Sequence, residues 1–281
     1  MKKIKALITG SEGFVGPYLK KELENHGYAV LGIDLHGKND STKCDITKKQ
    51  EVDKIISFIK PEYIFHLAGF SSPSKSFEQP ELCFKINVDG TKNILESAAK
   101  LPNCKVLIVS SAEVYGNPKY VPIDEKHTIN PLSPYGRSRV EQEKITLKYP
   151  NTIIARSFNH TGPGQSTNFV IPSFKEQINN AENNDTIYVG NLDVIKDFSD
   201  VRDVVRAYRL LIEKGTLGEI YNVGSGIGYH LKSVLNFLIK RSRKNLQIKR
   251  DQSKFNNFEI KKSICDNTKV KKLGASFKKI F

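Results

Sequence analysis

An apolar run, Ile4-Lys5-Ala6-Leu7-Ile8-Thr9, passes without a break into Gly10-Ser11-Glu12-Gly13-Phe14-Val15-Gly16, after which apolar residues recur at helical spacing through Tyr18, Leu19 and Leu23. A strand that turns at once into a helix presents the unpaired N–H groups of the helix start to whatever lies beyond the strand, and those groups attract an anion. The glycines suit such a turn. Gly10 permits the tight bend, Gly13 lets the backbone approach a pyrophosphate, and Gly16 lets helix and strand lie close, with Phe14 and Val15 completing the cradle. Pro17 is tolerated because its missing N–H has no acceptor in the first helical turn. The next apolar run, residues 28–33, ends in Asp34, where a carboxylate can accept both hydroxyls of an adenosine ribose and repel a 2′-phosphate. NAD(H) is therefore favoured, and nearby Lys38 keeps NADP(H) open.

The alternation continues as in an α/β Rossmann-type doubly wound parallel sheet with a smaller, interleaved C-terminal substrate lobe. A helix over about 48–60 stops at Pro61, and the strand Tyr63-Ile64-Phe65-His66-Leu67 ends at Ala68-Gly69. A helix over about 81–100 carries a polar Asn87, which is either cofactor-facing or a surface residue. The strand Lys105-Val106-Leu107-Ile108-Val109 follows, with Ser110-Ser111-Ala112-Glu113 at its carboxyl end, where open α/β sheets bind ligands. Residues 1–158, completed by about 199–224, read as the dinucleotide-binding domain. Residues 159–198 and 225–281 read as the substrate-binding lobe, and the strand over 151–156 delivers Asn159 to the cleft.

The formal net charge is +14, and 14 of the Lys and Arg residues fall within 240–281 against Asp251, Glu259 and Asp266. Such an end attracts polyanions, but no aromatic residues are interleaved at base-stacking spacing, so a solvated surface is expected in preference to a nucleic-acid site. No run approaches a membrane span and no signal-peptide layout precedes the first strand; a cytoplasmic protein without a membrane partner is expected. Cys44, Cys83, Cys104 and Cys265 stand far apart without metal-ligand spacing, which predicts reduced, packed thiols.

The chemistry is placed at Pro134-Tyr135-Gly136-Arg137-Ser138-Arg139. A Tyr and a cation four residues apart share one helix face, so the cation can favour the phenolate and let Tyr trade protons near neutral pH. On those six residues alone a Tyr packed beside an exposed basic pair is the simpler reading, and the rest of the chain overturns it. Ser111 lies upstream across a loop rich in proline. A strand-end hydroxyl and a helix-start phenol can converge on one carbonyl oxygen and stabilise the charge that develops there. Glu113 adds a carboxylate to the same segment.

In order along the chain, the glycine turn, Asp45 after Cys44, His66-Leu67-Ala68-Gly69, Asn87-Val88-Asp89-Gly90-Thr91, Ser110-Ser111-Ala112-Glu113-Val114-Tyr115-Gly116 and Pro134-Tyr135-Gly136 resemble an extended short-chain dehydrogenase/reductase acting on nucleotide sugars. Within that family, Arg156-Ser157-Phe158-Asn159-His160-Thr161-Gly162-Pro163-Gly164-Gln165, Asn168-Phe169-Val170 and Val189-Gly190-Asn191-Leu192 are similar to GDP-4-keto-6-deoxy-D-mannose reductases (GDP-D-rhamnose synthases) and GDP-mannose 4,6-dehydratases. The resemblance covers nearly the whole chain and thins after about residue 240. It implies that Ser111 and Tyr135 bind the C4 oxygen, that position 139 holds the nicotinamide ribose, and that Glu113 stands where dehydratases keep the base for the C5 proton. It implies Asp45 and Ile46 at the adenine, Leu67, Ala68 and Gly69 on the phosphate-ribose side, Asn87 and Ser110 beside the cofactor, and Phe158 near the nicotinamide. It implies Ser71, Ser72, Asn159, Val170, Lys175, Asn191, Leu192 and Lys196 around the substrate, no metal, and a homodimer through the helices at about 81–100 and 134–148. The expected activity is NAD(P)H-dependent reduction of the C4 ketone of a nucleotide-diphosphate 4-keto-6-deoxy sugar, GDP-linked and of hexose or heptose type.

The chain departs from the family pattern at three places. Arg139 replaces a lysine, and its planar fork is bulkier than an ammonium. Lys196-Asp197-Phe198 stands where Arg-Asp-aromatic meets the substrate diphosphate, and Asn256 stands where related proteins carry an arginine at the nucleotide end, with Lys254 near enough to replace it. Two alternatives stay open: a GDP-sugar 4,6-dehydratase or 4-dehydrogenase, because Glu113 is present, and a catalytically silent dinucleotide- or nucleotide-sugar-binding protein, because of Arg139 and Asn256.

Overall fold

The computed structural model describes residues 3–255 and 259–281; Asn256 lies outside the described residues. The strands run in chain order as β1 (Lys5–Thr9), β2 (Ala29–Asp34), β3 (Ser41–Lys43), β4 (Tyr63–His66), β5 (Lys105–Ser111), β6 (Thr152–Ser157), β7 (Asn159–Thr161), β8 (Thr186–Val189), β9 (Ile195–Asp200), β10 (Ile220–Val223), β11 (Gly228–His230), β12 (Gln247–Arg250) and β13 (Lys262–Ser263). Seven of them form one sheet in the order β10-β6-β5-β4-β1-β2-β3, every neighbour parallel. This is the doubly wound α/β arrangement that the alternation predicts.

Helices cover both faces of this sheet, so its inner strands are apolar throughout and do not alternate. Ala6, Leu7, Ile8, Ile64, Phe65, Leu107 and Ile108 are all fully buried. On one face the helices Gly16–Asn25 and Val201–Lys214 contribute Leu19, Leu23, Val204, Tyr208 and Leu211. On the other, Lys49–Ile59 and Gly90–Ala98 contribute Val52, Ile56, Ile94 and Leu95. Each such side chain stabilises the fold by roughly 1.5–3 kcal/mol relative to an exposed one. The helix Pro134–Thr146 packs beside Gly90–Ala98, against β5 and β6.

The smaller lobe has its own core. β8 pairs with β12, and β9 pairs with β7, β11 and β13. Helices Val170–Asn180 and Leu231–Ser242 close over Ile171, Phe174, Ile178, Leu192, Phe198 and Leu235. Asp197 ties this lobe to the large sheet: its carboxylate accepts the N–H groups of Ser225, Gly226 and Cys265 and the Ser225 hydroxyl.

Three features differ from the sequence reading. β3 extends the sheet edge with Ser41-Thr42-Lys43, which no apolar pattern marks. The helix expected over 81–100 is three pieces, Pro80–Phe84, a wide π-turn over Lys85–Asp89 and Gly90–Ala98. The stretch 225–281 does not all join the small lobe. Val270 and Ala275 pack in the large core, and the chain returns to the small one only at Ile280 and Phe281. All four cysteines are free and buried, and among the described residues no helix is long and apolar enough to cross a membrane.

Candidate active site

The strand order reverses at β1, whose neighbours are β2 and β4. Above the carboxyl ends of these strands a cleft of about 690 Å³ runs from Glu12, Asp34 and Lys38 at one end to Ser111, Tyr135 and Asn159 at the other. The glycine turn forms its floor. Gly10 has φ +68, and a Cβ there would lie 2.8 Å from the Ala68 nitrogen; one on Gly16 would lie 2.1 Å from the Ser11 carbonyl oxygen. At these points the turn packs against Ala68 and against itself and leaves no space for a side chain, and of the three glycines Gly10 and Gly13 line the cleft while Gly16 lies behind it.

At the Asp34 end, the Glu12 backbone N–H donates to Asp34 Oδ2 at 3.1 Å. The Glu12 carboxylate in turn accepts the Lys38 N–H and the Ser41 hydroxyl, which draws the loop after β2 over this end of the cleft. Asp45 Oδ1 accepts the Thr47 N–H and hydroxyl at 3.0 and 2.8 Å, and buried Ile46 fills the space beneath Gly90.

At the other end, Ser133 caps the helix that carries Tyr135, its hydroxyl accepting the Gly136 N–H at 3.0 Å. Tyr135 is 7% exposed, and its hydroxyl has no protein partner among the described residues. Ser111 sits at the end of β5, where its oxygen accepts the Glu113 N–H at 3.2 Å and its proton is left to donate. Both residues line the cleft. Arg139 is 5% exposed, and its guanidinium carbon lies 5.2 Å from the centroid of the Tyr135 ring. Nη1 donates to the Val109 carbonyl at 3.2 Å and to Gln142 Oε1 at 2.9 Å, Nη2 donates to the Phe70 carbonyl at 3.3 Å, and Nε is buried without a partner among the described residues.

A buried polar chain continues from Arg139. Gln142 Nε2 donates to Thr91 Oγ1 at 2.7 Å, and Thr91 spends its own proton on the Asn87 carbonyl. The remaining contact to Thr91, from His66 Nε2 at 2.9 Å, must then be a donation, which leaves His66 Nδ1 to accept from Thr9 Oγ1 at 2.7 Å. Thr9 Oγ1 receives the Ala68 N–H. Burial, with Arg139 adding to it, pushes the His66 imidazole down to about 3. The ring therefore stays neutral, with both of its nitrogens assigned.

Glu113 lines the cleft, and half-buried Lys196, which does not line it, lies within electrostatic reach of Glu113. Burial pushes the Glu113 carboxyl up against the pull of the Lys196 ammonium. Burial likewise pushes Lys196 down, opposed by Glu113 and Glu259.

Of the expected site residues, Gly10, Gly13, Phe14, Val15, Asp34, Asp45, Ile46, Leu67, Ala68, Gly69, Ser71, Ser110, Ser111, Glu113, Tyr135, Arg139, Phe158, Asn159 and Val170 line the cleft. Others fall elsewhere. Asn87 is fully buried and spends its amide on the Phe70 backbone and Ser138, so it holds the loop after Gly69 and does not line the cleft. Ser72 hydrogen-bonds within its own turn to Ser74 and Lys75. Leu192 belongs to the small-lobe core, and Asn191 donates to Glu259. Lys175 lines a separate cavity with Arg202 and Lys278. The sequence reading gave no role to His160, whose ring stacks on Phe14 at 6.0 Å, or to Gln165, whose buried Oε1 lacks a partner among the described residues. Both line the cleft; both lie in the motif over 156–165, which is the signal that could have found them.

Residues 7–280 match the family model described as GDP-mannose 4,6 dehydratase. The chain is 31% identical to a GDP-6-deoxy-D-mannose reductase of Pseudomonas aeruginosa, over 90% of this chain and 84% of that protein. It is 30% identical to a GDP-6-deoxy-D-talose 4-dehydrogenase of Aggregatibacter actinomycetemcomitans, over 95% and 90%. Its fold is similar to the solved structure of RMD from Pseudomonas aeruginosa complexed with NADPH, with TM-score 0.88, 27% identity and coverage of 99% and 95%.

Proposed function

We propose, for a chain that belongs to the GDP-mannose 4,6 dehydratase family, an NAD(P)H-dependent reduction of the C4 ketone of a nucleotide-diphosphate 4-keto-6-deoxy sugar. The observation that carries this reading is that one cleft joins the glycine turn and Asp34 to Ser111 and Tyr135. Its lining suits a dinucleotide laid from Asp34 to Tyr135, with Gly10 and Gly13 beneath a pyrophosphate at the helix start. When bound, the reduced nicotinamide supplies the hydride. The protein supplies the rest. Ser111 donates a hydrogen bond to the C4 oxygen as negative charge gathers there, and Tyr135 gives that oxygen its phenolic proton. Arg139 lies against the Tyr135 ring, its guanidinium carbon 5.2 Å from the ring centroid, and places a fixed positive charge beside the proton donor.

GDP as carrier, NAD(H) as the preferred cofactor and a cytoplasmic setting belong to the same reading, the cofactor preference resting on Asp34 and Glu12. A homodimer through Pro80–Phe84, Gly90–Ala98 and Pro134–Thr146 is supported by the exposure of Leu82 on the first of these helices and of Leu147 just past the end of the last. One observation favours a second reading. Glu113 lines the cleft beside Tyr135, where a 4,6-dehydratase needs a base.

Purified protein supplied with GDP-4-keto-6-deoxymannose and NADH or NADPH should consume the dinucleotide in equal amount to the sugar. A dehydratase would convert GDP-mannose with no net consumption. Dinucleotide binding without turnover of any keto sugar would leave a binding protein.

A further inference from the structure

We infer that Gln142 is the positioning residue for Arg139. An arginine at this position brings five N–H donors on a planar fork into a space lined by carbonyl oxygens, and its orientation decides which of them meet a ligand. Val109 and Phe70 accept one each through fixed backbone carbonyls, and Gln142 Oε1 takes the second hydrogen of Nη1. Three of the five donors are thus committed, leaving Nε–H and one hydrogen of Nη2. Nε is buried, unpartnered among the described residues and part of a side chain lining the cleft.

Gln142 sits three residues after Arg139 on the same helix face, and it is itself fixed: it is fully buried, and its amide nitrogen donates to Thr91, which His66 and the Asn87 carbonyl hold in turn. The amide can point only one way, because its oxygen meets a cation and its nitrogen meets a hydroxyl with no proton left to give. The guanidinium is also closed in from the side. A Cβ on Gly69 would lie 2.7 Å from Nη2 and 3.2 Å from Nη1, so the glycine makes the space that the fork occupies. Gln142 therefore turns Arg139 so that its two spare donors are offered to vicinal hydroxyls such as those of the nicotinamide ribose. A lysine has no planar fork for this acceptor to orient.

This inference rests on the proposed dinucleotide site but not on turnover, so its test is binding of NADH to the full-length protein by calorimetry, without sugar. Gln142→Leu should weaken binding about tenfold, the order of a lost hydrogen bond to a charged group. Gln142→Asn, which keeps the amide but withdraws it by one carbon, should do the same. Gln142→Glu keeps an acceptor for Nη1 but loses the donation to Thr91, and should bind between Gln142→Leu and the parent, a partial rescue that a packing role would not give. In a double-mutant cycle, Arg139→Lys with Gln142→Leu should bind more tightly than the product of the two single effects. Parent-like affinity in both Gln142→Leu and Gln142→Asn, loss in Gln142→Glu equal to that in Gln142→Leu, or additive single effects would each overturn the inference. A parent protein that binds no dinucleotide overturns it together with the proposed function; binding without sugar reduction fails the function alone.

Discussion

The Glu12 backbone N–H is bonded to the Asp34 carboxylate at 3.1 Å, and the Glu12 side chain closes back on the loop after β2. Two carboxylates thus frame one end of the cleft, where the adenosine ribose of a dinucleotide is expected. A 2′-phosphate placed between them meets repulsion that Lys38 offsets only in part. Asp34→Ser should raise the affinity for NADPH relative to NADH by about tenfold, close to 1.4 kcal/mol. Paired titrations with the two cofactors check this; an unchanged ratio would remove Asp34 from cofactor choice.

Tyr135→Phe deletes one hydroxyl that has no protein partner among the described residues, so the fold has little to lose. Turnover of a keto sugar should fall by about 100-fold or more, with NADH affinity within about twofold. Steady-state kinetics alongside calorimetry separates the two, and retained turnover would sink the proton-donor assignment.

The ion pair between Glu143 and Arg156 is buried on both sides, with 2.7 Å between Oε2 and Nη2, and Arg156 also lies over the Tyr115 ring at 4.9 Å. Glu143→Gln leaves a buried guanidinium without its counter-charge and should lower unfolding free energy by about 3–5 kcal/mol, read from urea denaturation. A loss under about 1 kcal/mol would mean that water reaches the pair.

His66 gives the stability a pH dependence of definite sign. Its folded-state value is depressed to about 3, whereas the unfolded chain binds the proton below about 6.5. Its contribution is therefore fully present above about pH 6.5 and is lost as pH falls toward 3, by up to about 1.4 kcal/mol per pH unit. Urea midpoints taken from pH 7.5 down to about pH 5 should fall more steeply for the parent than for His66→Asn. Equal slopes would show that the ring is protonated in the folded protein.

Legibility in the sequence followed from how local each signal is. The turn at Gly10, the inner strands and Asp34 announce themselves through neighbours in the chain, so the sheet and most of the cleft lining are readable from residue order alone. β3 is not, because Ser41-Thr42-Lys43 is a strand only through its pairing with Gly32, Ile33 and Asp34. Asn191 and Leu192 stand in a recognisable motif, but Leu192 packs in the small-lobe core and Asn191 bonds Glu259, and Lys175, which no motif contains, lines a separate cavity. Gln142 was invisible for the same reason in reverse: its partner Thr91 is 51 residues distant, and its role exists only because residue 139 is arginine.

The wide turn at Lys85–Asp89 has an effect on its own helical path. One residue more than a regular turn shifts everything downstream by about 100° around the axis. The face that Pro80–Phe84 sets against Pro134–Thr146 is thereby out of phase with the face that Gly90–Ala98 sets against Lys49–Ile59, and Asn87 is left pointing inward at the seam. Removing a single residue from this turn would rotate one half against the other like a misaligned gear. The damage would reach Phe70, and through its carbonyl Arg139 in the cleft, although neither residue belongs to the turn.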